Sequence, residues 1–255
     1  MTPLFSIITV TYNASATLPA TMRSVSEQTC DLYEHIIQDG TSKDNTLAIA
    51  RSGNPARTRI NSEPDEGIYD AMNKALAEAK GDYVIFLNAG DRFHSKDTLQ
   101  QLADTIMEND YPGIVYGQTD IVDLNGKRLA ERHLSAPETL TLDSFAEGMV
   151  VCHQAFVALR RITGAFSRKY KFSADYEWCI RCLQHSHRNA YTDSVVIDYL
   201  NEGVTTANRR KSLMERFNIM CRYYGTWNTI RRHLRFASRF LKRRSLEKKF
   251  KQESF

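Results

Sequence analysis

The run Phe5-Ser6-Ile7-Ile8-Thr9-Val10-Thr11-Tyr12 constrains the fold more than any other stretch of the chain. It is β-branched and aromatic, uncharged and free of breakers, so it reads as a strand covered on both faces, the environment found inside parallel sheets. Asn13 ends it, and Leu18, Met22 and Val25 then recur at helical spacing, with Pro19 tolerable in a first helical turn. The unit repeats. Tyr33–Gln38 reads as a second strand, 39–46 as a polar loop and Leu47–Arg51 as a short helix. Arg57–Asn61, Gly67–Lys80 and Asp82–Leu87 continue the series as strand, helix and strand. Alternation of this kind requires right-handed crossovers and a mostly parallel sheet.

Ligands of such sheets sit at the carboxyl ends of the strands. There is no Gly-x-Gly-x-x-Gly after the first strand and no Walker sequence, which removes the main warrant for a dinucleotide dehydrogenase or a P-loop protein. The strand ends carry Asn13, Asp39, Asp44, Asp65 and Asp91 instead, groups suited to bases, sugars and metals. Two readings of Asn88-Ala89-Gly90-Asp91 compete. It is a turn chosen for backbone reasons, or Asp91 is a hard oxygen ligand for a divalent cation that bridges a diphosphate.

After a helix from Lys96 to Glu108 the pattern changes. Gly113–Gly117 and Thr119–Asp123 read as strands, Asn125-Gly126 marks a tight hairpin, and Met149–Val157 reads as a further strand. Antiparallel strands after a parallel half predict a mixed sheet whose second part holds a second substrate. His153 beside Gln154 reads either as a satisfied structural group or as part of that site. Ser173 can cap a helix with Asp175 and Glu177 in its first turn, where the dipole favours carboxylates whatever their function.

At 255 residues one large domain with an appendage is expected. No apolar stretch approaches about 18 residues and the N-terminus lacks a basic region before an apolar run, so a cytoplasmic protein is expected. Five cysteines form no disulfide framework, and Cys179-Ile180-Arg181-Cys182 reads as two packed thiols on a helix. The net charge of +4 divides unevenly: residues 205–255 carry 15 Lys and Arg against three Glu, a net of +12, leaving −8 for 1–204. Ile230, Leu234, Ala237, Phe240 and Leu241 share one helical face flanked by Arg231, Arg232, Arg235, Arg239, Lys242, Arg243 and Arg244. Packing on the domain, an anionic membrane surface reached through 209–251, and nucleic acid are the three partners such a tail allows. No nucleic-acid reading module accompanies it, and no nucleic-acid partner is expected.

With these pieces in order, the sequence resembles the family 2 glycosyltransferases, inverting enzymes of the GT-A fold, in the branch that builds bacterial cell-surface polysaccharides. The matching motifs are 6–13, 38–46, 63–73, 86–91, His153-Gln154 and 174–177. The resemblance implies an α/β fold with a GT-A type mixed sheet, parallel in its N-terminal half. A nucleotide-sugar half would span 1–110, an acceptor half 111–205, and a basic helical tail 206–255. It implies that Thr11, Tyr12, Asn13, Asp39, Asp65, Asp70, Asn73, Lys74 and Asn88 bind the donor, with Asp39 on a pyrimidine and uridine the favoured base. Asp91 would hold Mn2+ or Mg2+, Asp175 would be the catalytic base, and His153, Gln154 and Glu177 would lie on the acceptor side. The donor would be a nucleotide sugar and the acceptor a glycan or a polyprenyl-diphosphate-linked sugar, at or near the inner face of the cytoplasmic membrane. A nucleotidyltransferase and a catalytically silent sugar-nucleotide or lipid-binding protein are the alternatives.

Overall fold

The structure is a computed structural model that describes residues 2–201 and 209–234. The parallel half comprises β1 (Phe5–Thr11), α1 (Leu18–Ser26), β2 (Tyr33–Asp39), α2 (Thr46–Arg51), β3 (Thr58–Ser62), α3 (Ile68–Glu78) and β4 (Tyr83–Phe86). There follow β5 (Arg92–Phe93), α4 (Thr98–Glu108), β6 (Ile114–Val122), β7 (Arg128–Glu131), β8 (Phe156–Leu159), α5 (Ala174–His185), β9 (Asn189–Leu200) and α6 (Arg209–Tyr224). The strands form one mixed sheet in the order β3-β2-β1-β4-β8-β6-β9-β5, with β7 paired to β6. β1 to β4 run parallel, and the direction reverses where β8 meets β4 and again where β6 meets β8. Every residue of β1 is buried, as a strand covered on both faces must be.

The register of the parallel half aligns the chemistry. Thr11 pairs with Asp39 and Asp39 with Ser62, so three polar side chains stand in a row at the carboxyl ends of β1, β2 and β3. An aromatic cluster ties this half to α5. Phe166 stacks on Trp178 with ring centroids 5.1 Å apart, meets Phe86 edge-on at 4.9 Å and stacks on Tyr69 of α3 at 5.6 Å.

Four elements differ from the sequence reading. The two expected strands 113–117 and 119–123 are one strand, β6, which shifts register against β9 around Gln118. Gly117 is no breaker; a Cβ there would lie 2.5 Å from Val196 Cγ2 and 2.7 Å from the Ser194 carbonyl, so glycine admits the close approach of β9. Residues 149–155 are not strand: a 3-10 turn over His153–Ala155 precedes β8. The long β9 and the two-residue β5 went unread.

The described part of the basic tail packs on the domain. Ile219 and Met220 of α6 belong to the main core, and Tyr223 donates to Glu177 Oε1 at 2.6 Å. Glu215 accepts the backbone N–H groups of Lys171 and Phe172 at 2.9 and 2.8 Å. The chain reverses at Gly225 (φ +82°), and residues 226–234 return as a helix that sets His233 edge-on to Phe217 at 5.1 Å. Arg232 bridges Asp143 and Glu147 at 2.8 and 2.7 Å. Most of the amphipathic face, Ala237 to Arg244, lies outside the described residues. No described helix is long and apolar enough to cross a membrane.

Candidate active site

The sheet gathers most of the expected donor residues along one edge. Asp39 is fully buried and its two oxygens accept Thr11 Oγ1 (3.0 Å), the Ser42 backbone N–H (2.9 Å), Ser42 Oγ and Ser62 Oγ (2.9 Å). Burial alone would raise its pKa, but the donors from Ser42, Ser62 and Thr11 outweigh it and hold the carboxyl below its usual value. Asp39 therefore fastens the ends of β1 and β3 and the following loop to one another. Tyr12 projects beside it, 64 % exposed. Asn13, at φ +50°, locks the same loop by donating its N–H to Ser42 Oγ (2.8 Å) and accepting from Lys43 N (2.9 Å).

Asp65 comes to this edge from the turn before α3, where it accepts Gly67 N–H at 2.8 Å. A Cβ added to Gly40 would sit 2.3 Å from Asp65 Oδ2 and 3.5 Å from the Tyr12 ring, so Gly40 is the point at which the three motifs meet. Asp70 and Lys74 brace that turn: Asp70 accepts Glu66 N–H (3.1 Å), and Lys74 donates to the Pro64 carbonyl (2.6 Å). Asn73 has both functions of its amide on the Phe166 backbone, at 3.0 and 2.6 Å, so it clamps α3 to the segment before α5.

The second half of the site is built on one 3-10 turn. Gln154, buried, donates to Asp91 Oδ2 at 2.7 Å, and the Leu200 N–H at the end of β9 donates to Asp91 Oδ1 at 3.0 Å. The adjacent His153 places Nδ1 3.4 Å from Asp175 Oδ2 and Nε2 3.3 Å from Asn88 Nδ2. One neutral tautomer satisfies both contacts: Nδ1–H donates to Asp175 and Nε2 accepts from Asn88. Tyr69 donates to Asp175 Oδ1 at 3.0 Å. Thus 153 and 154, neighbours in sequence, hold the two carboxylates of the motifs 86–91 and 174–177.

The two acids sit in opposite electrostatic settings. Burial pushes Asp91 up to about 6 against the bonds from Leu200 and Gln154. For Asp175 burial acts in the same sense but is overcome by His153, Arg216 and Tyr69, and its carboxyl lies below the ordinary range.

Among the described residues no three His, Cys, Asp or Glu side chains converge as a metal site. The oxygen donors of the 88–91 loop nevertheless fit a hard cation. Asn88 Oδ1 is buried without a hydrogen-bond partner, three residues from the Asp91 carboxylate. Those two oxygens, completed by diphosphate oxygens and water, make the donor set that Mg2+ or Mn2+ takes. The structure also explains the missing second acid. Gly90 has φ +109°, and a Cβ there would lie 2.7 Å from Leu200 Cδ2, so position 90 has no room for a carboxylate.

Glu177 is buried and spoken for by Arg181 Nε at 3.0 and 2.9 Å and by Tyr223, which fastens α5 to α6. Burial raises the Cys179 and Cys182 thiols, and both are free, as packed thiols should be. Tyr69 and Cys152 were missed by the sequence reading. Tyr69 stood inside a motif already singled out; Cys152, whose thiol donates to Gln154 Oε1, gave no signal beyond adjacency to His153.

The pattern described as "Glycosyl transferase family 2" matches residues 6–162. The chain belongs to this family. It is 33 % identical over 206 residues to a "PGL/p-HBAD biosynthesis glycosyltransferase" of Mycobacterium bovis, covering 78 % of this chain and 77 % of that protein. It is also 33 % identical over 152 residues to TuaG of Bacillus subtilis, named for teichuronic acid biosynthesis, covering 58 % of this chain and 59 % of that one. Among solved structures, residues 1–349 of S. aureus TarS with UDP-GlcNAc superpose with a TM-score of 0.69 at 19 % identity, covering 91 % of this chain and 73 % of that one. The mannosyltransferase PcManGT of Pyrobaculum calidifontis with GDP-Man and Mn2+ gives 0.61 at 18 %, covering 93 % and 76 %. The fold is therefore of the GT-A type and the protein is a glycosyltransferase.

Proposed function

We propose that this glycosyltransferase moves a sugar from a nucleotide-sugar donor to a hydroxyl of a cell-surface glycan or its lipid-linked precursor, with inversion at the anomeric carbon. The observation that carries the reading is the pair of carboxylates, Asp91 and Asp175, held by adjacent residues of one turn yet electrostatically distinct. The cell-surface assignment draws on the names of the mycobacterial and Bacillus relatives. The nucleotide-sugar donor draws on the ligands of TarS and PcManGT, and Mn2+ on that of PcManGT.

The donor's base lies against Tyr12 and the Asp39 row, and Asp65 meets the ribose or donor sugar. Asp91 and Asn88 hold the divalent ion, which when bound offsets charge on the departing diphosphate. Asp175, ionised and aimed by Tyr69 and His153, accepts the proton of the acceptor hydroxyl. Gln154 keeps the Asp91 carboxylate fixed. Attack on the face opposite the leaving group completes a single displacement.

Thermal unfolding with uridine, guanosine, thymidine and cytidine diphosphates, each with and without Mn2+, tests the donor half. Uridine diphosphate with Mn2+ is expected to stabilise most, by about 2.7 kcal/mol at ~100 times its dissociation constant. If no nucleotide stabilises the protein, the donor assignment fails.

Gly40→Ala probes the same edge. Because Gly40 needs no positive φ, the new methyl group acts mainly by displacing the Asp65 carboxylate. Losing about one hydrogen bond's worth of donor contact raises the donor KM by roughly 2- to 10-fold. An unchanged KM at an unchanged melting temperature would remove Asp65 from the donor site.

A further inference from the structure

Helix α6 reaches the mouth of the catalytic centre by a specific fastening. Glu215 takes the backbone N–H groups of Lys171 and Phe172, and Ser212 Oγ meets Ser173 Oγ at 3.0 Å, so α6 grips the three residues that lead into the first turn of α5, where Asp175 stands. Arg216 is the next residue after that grip. It is half-buried, and its Nε is buried without a hydrogen-bond partner among the described residues. The other half-buried guanidiniums nearby have their charge met: Arg181 by Glu177, and Arg232, whose Nε is likewise unpaired, by Asp143 and Glu147 through its two Nη atoms. No ion pair within 4 Å joins Arg216 to a carboxylate among the described residues, although its charge acts on Asp175. A cation partly removed from water, with an unpaired donor and no carboxylate in ion-pair range among the described residues, costs free energy unless a ligand completes it.

We propose that Arg216 is the anion contact of the acceptor subsite, taking a phosphate or carboxylate group that the acceptor carries close to the hydroxyl under attack. This rests on the inverting reading with Asp175 as base. In a single displacement with inversion, base and leaving group lie on opposite faces of the sugar, so a cation beside the base meets the acceptor and not the departing diphosphate. A guanidinium suits the task because its planar fork binds either oxyanion with two parallel hydrogen bonds. The acceptor is then an anionic molecule: a sugar joined directly to a lipid diphosphate, or a chain whose terminal or adjacent residue is a uronic acid.

Titration calorimetry on the full chain, saturated with uridine diphosphate and Mn2+, distinguishes the sources with two probes, farnesyl diphosphate and methyl glucuronide. The wild type is expected to bind one of them, Arg216→Met to bind it at least tenfold more weakly, and Arg216→Lys, which keeps the charge but not the fork, to fall between. Uridine diphosphate affinity should stay within twofold in all three forms, which also reports that the variants are folded. Three results overturn the proposal: equal probe affinity in wild type and Arg216→Met, binding of neither probe by a wild type that binds the nucleotide, or a loss of nucleotide affinity in Arg216→Met, which would assign Arg216 to the donor diphosphate. Absence of nucleotide binding by the wild type would defeat the donor reading itself, and this proposal with it.

Discussion

Asp175→Asn abolishes sugar transfer while leaving nucleotide binding intact. The substitution keeps the shape of the side chain, and an amide oxygen can still accept the Tyr69 hydroxyl. What it removes is the lone pair that takes the acceptor's proton, and general-base assistance of this kind is worth about 10²- to 10⁴-fold in kcat. Stability follows the depressed pKa of Asp175: a carboxyl held below its ordinary value of 3.8 stabilises the fold above that value and loses the contribution as pH falls through its folded pKa. The variant is therefore expected to be less stable than the wild type at neutral pH, the gap closing in strong acid. Single-turnover transfer and uridine diphosphate titration are the measurements. Transfer at the wild-type rate would end the assignment of Asp175 as base.

The parallel half was legible because its strands are buried on both faces and read as unbroken apolar runs. Phe5–Thr11 and Tyr83–Phe86 fall within the expected stretches. The C-terminal half was less so, for physical reasons that differ from element to element. In β9 the sequence Asn-Ala-Tyr-Thr-Asp-Ser-Val-Val-Ile-Asp-Tyr-Leu mixes polar and apolar residues, and Asp193 at φ +50° interrupts the alternation that marks a half-covered strand. The apolar run 149–155 suggested a strand, but tertiary demand overrides it there. A strand would send His153 and Gln154 to opposite faces, whereas a 3-10 turn lets His153 reach Asp175 and Gln154 reach Asp91. The acids themselves could be picked out as candidates one at a time. Their connection could not, because it runs through Tyr69, His153, Gln154 and Asn88, drawn from three separate segments.

Asp91→Asn stabilises the protein and disables it, and the two effects are separable by pH. The carboxyl of Asp91 is almost wholly removed from water, and burial carries its pKa from 3.8 to about 6. A raised folded pKa means that the group's favourable contribution is complete below about 4 and is lost as pH rises through about 6, so at neutral pH the ionised side chain weighs against folding by about 3 kcal/mol. Asparagine has no charge to bury, and its oxygen can still accept the Leu200 N–H. The Gln154 contact is worse, because an amine facing Gln154 Nε2 pairs two donors, and Gln154 cannot simply turn over while Cys152 donates to its oxygen. The net gain is therefore about 1–3 kcal/mol above pH 7, or several degrees in melting temperature for a chain of this size, falling to nothing near pH 4. Transfer should fall steeply at every pH, since a neutral amide is a poor ligand for a cation that must also hold a diphosphate. Melting curves at pH 5 and pH 8 without metal, set beside the Mn2+ dependence of uridine diphosphate binding, test both halves. A variant less stable than the wild type at pH 8 would mean that Asp91 is held ionised by its surroundings without cost, and one that binds nucleotide with undiminished Mn2+ dependence would move the cation elsewhere.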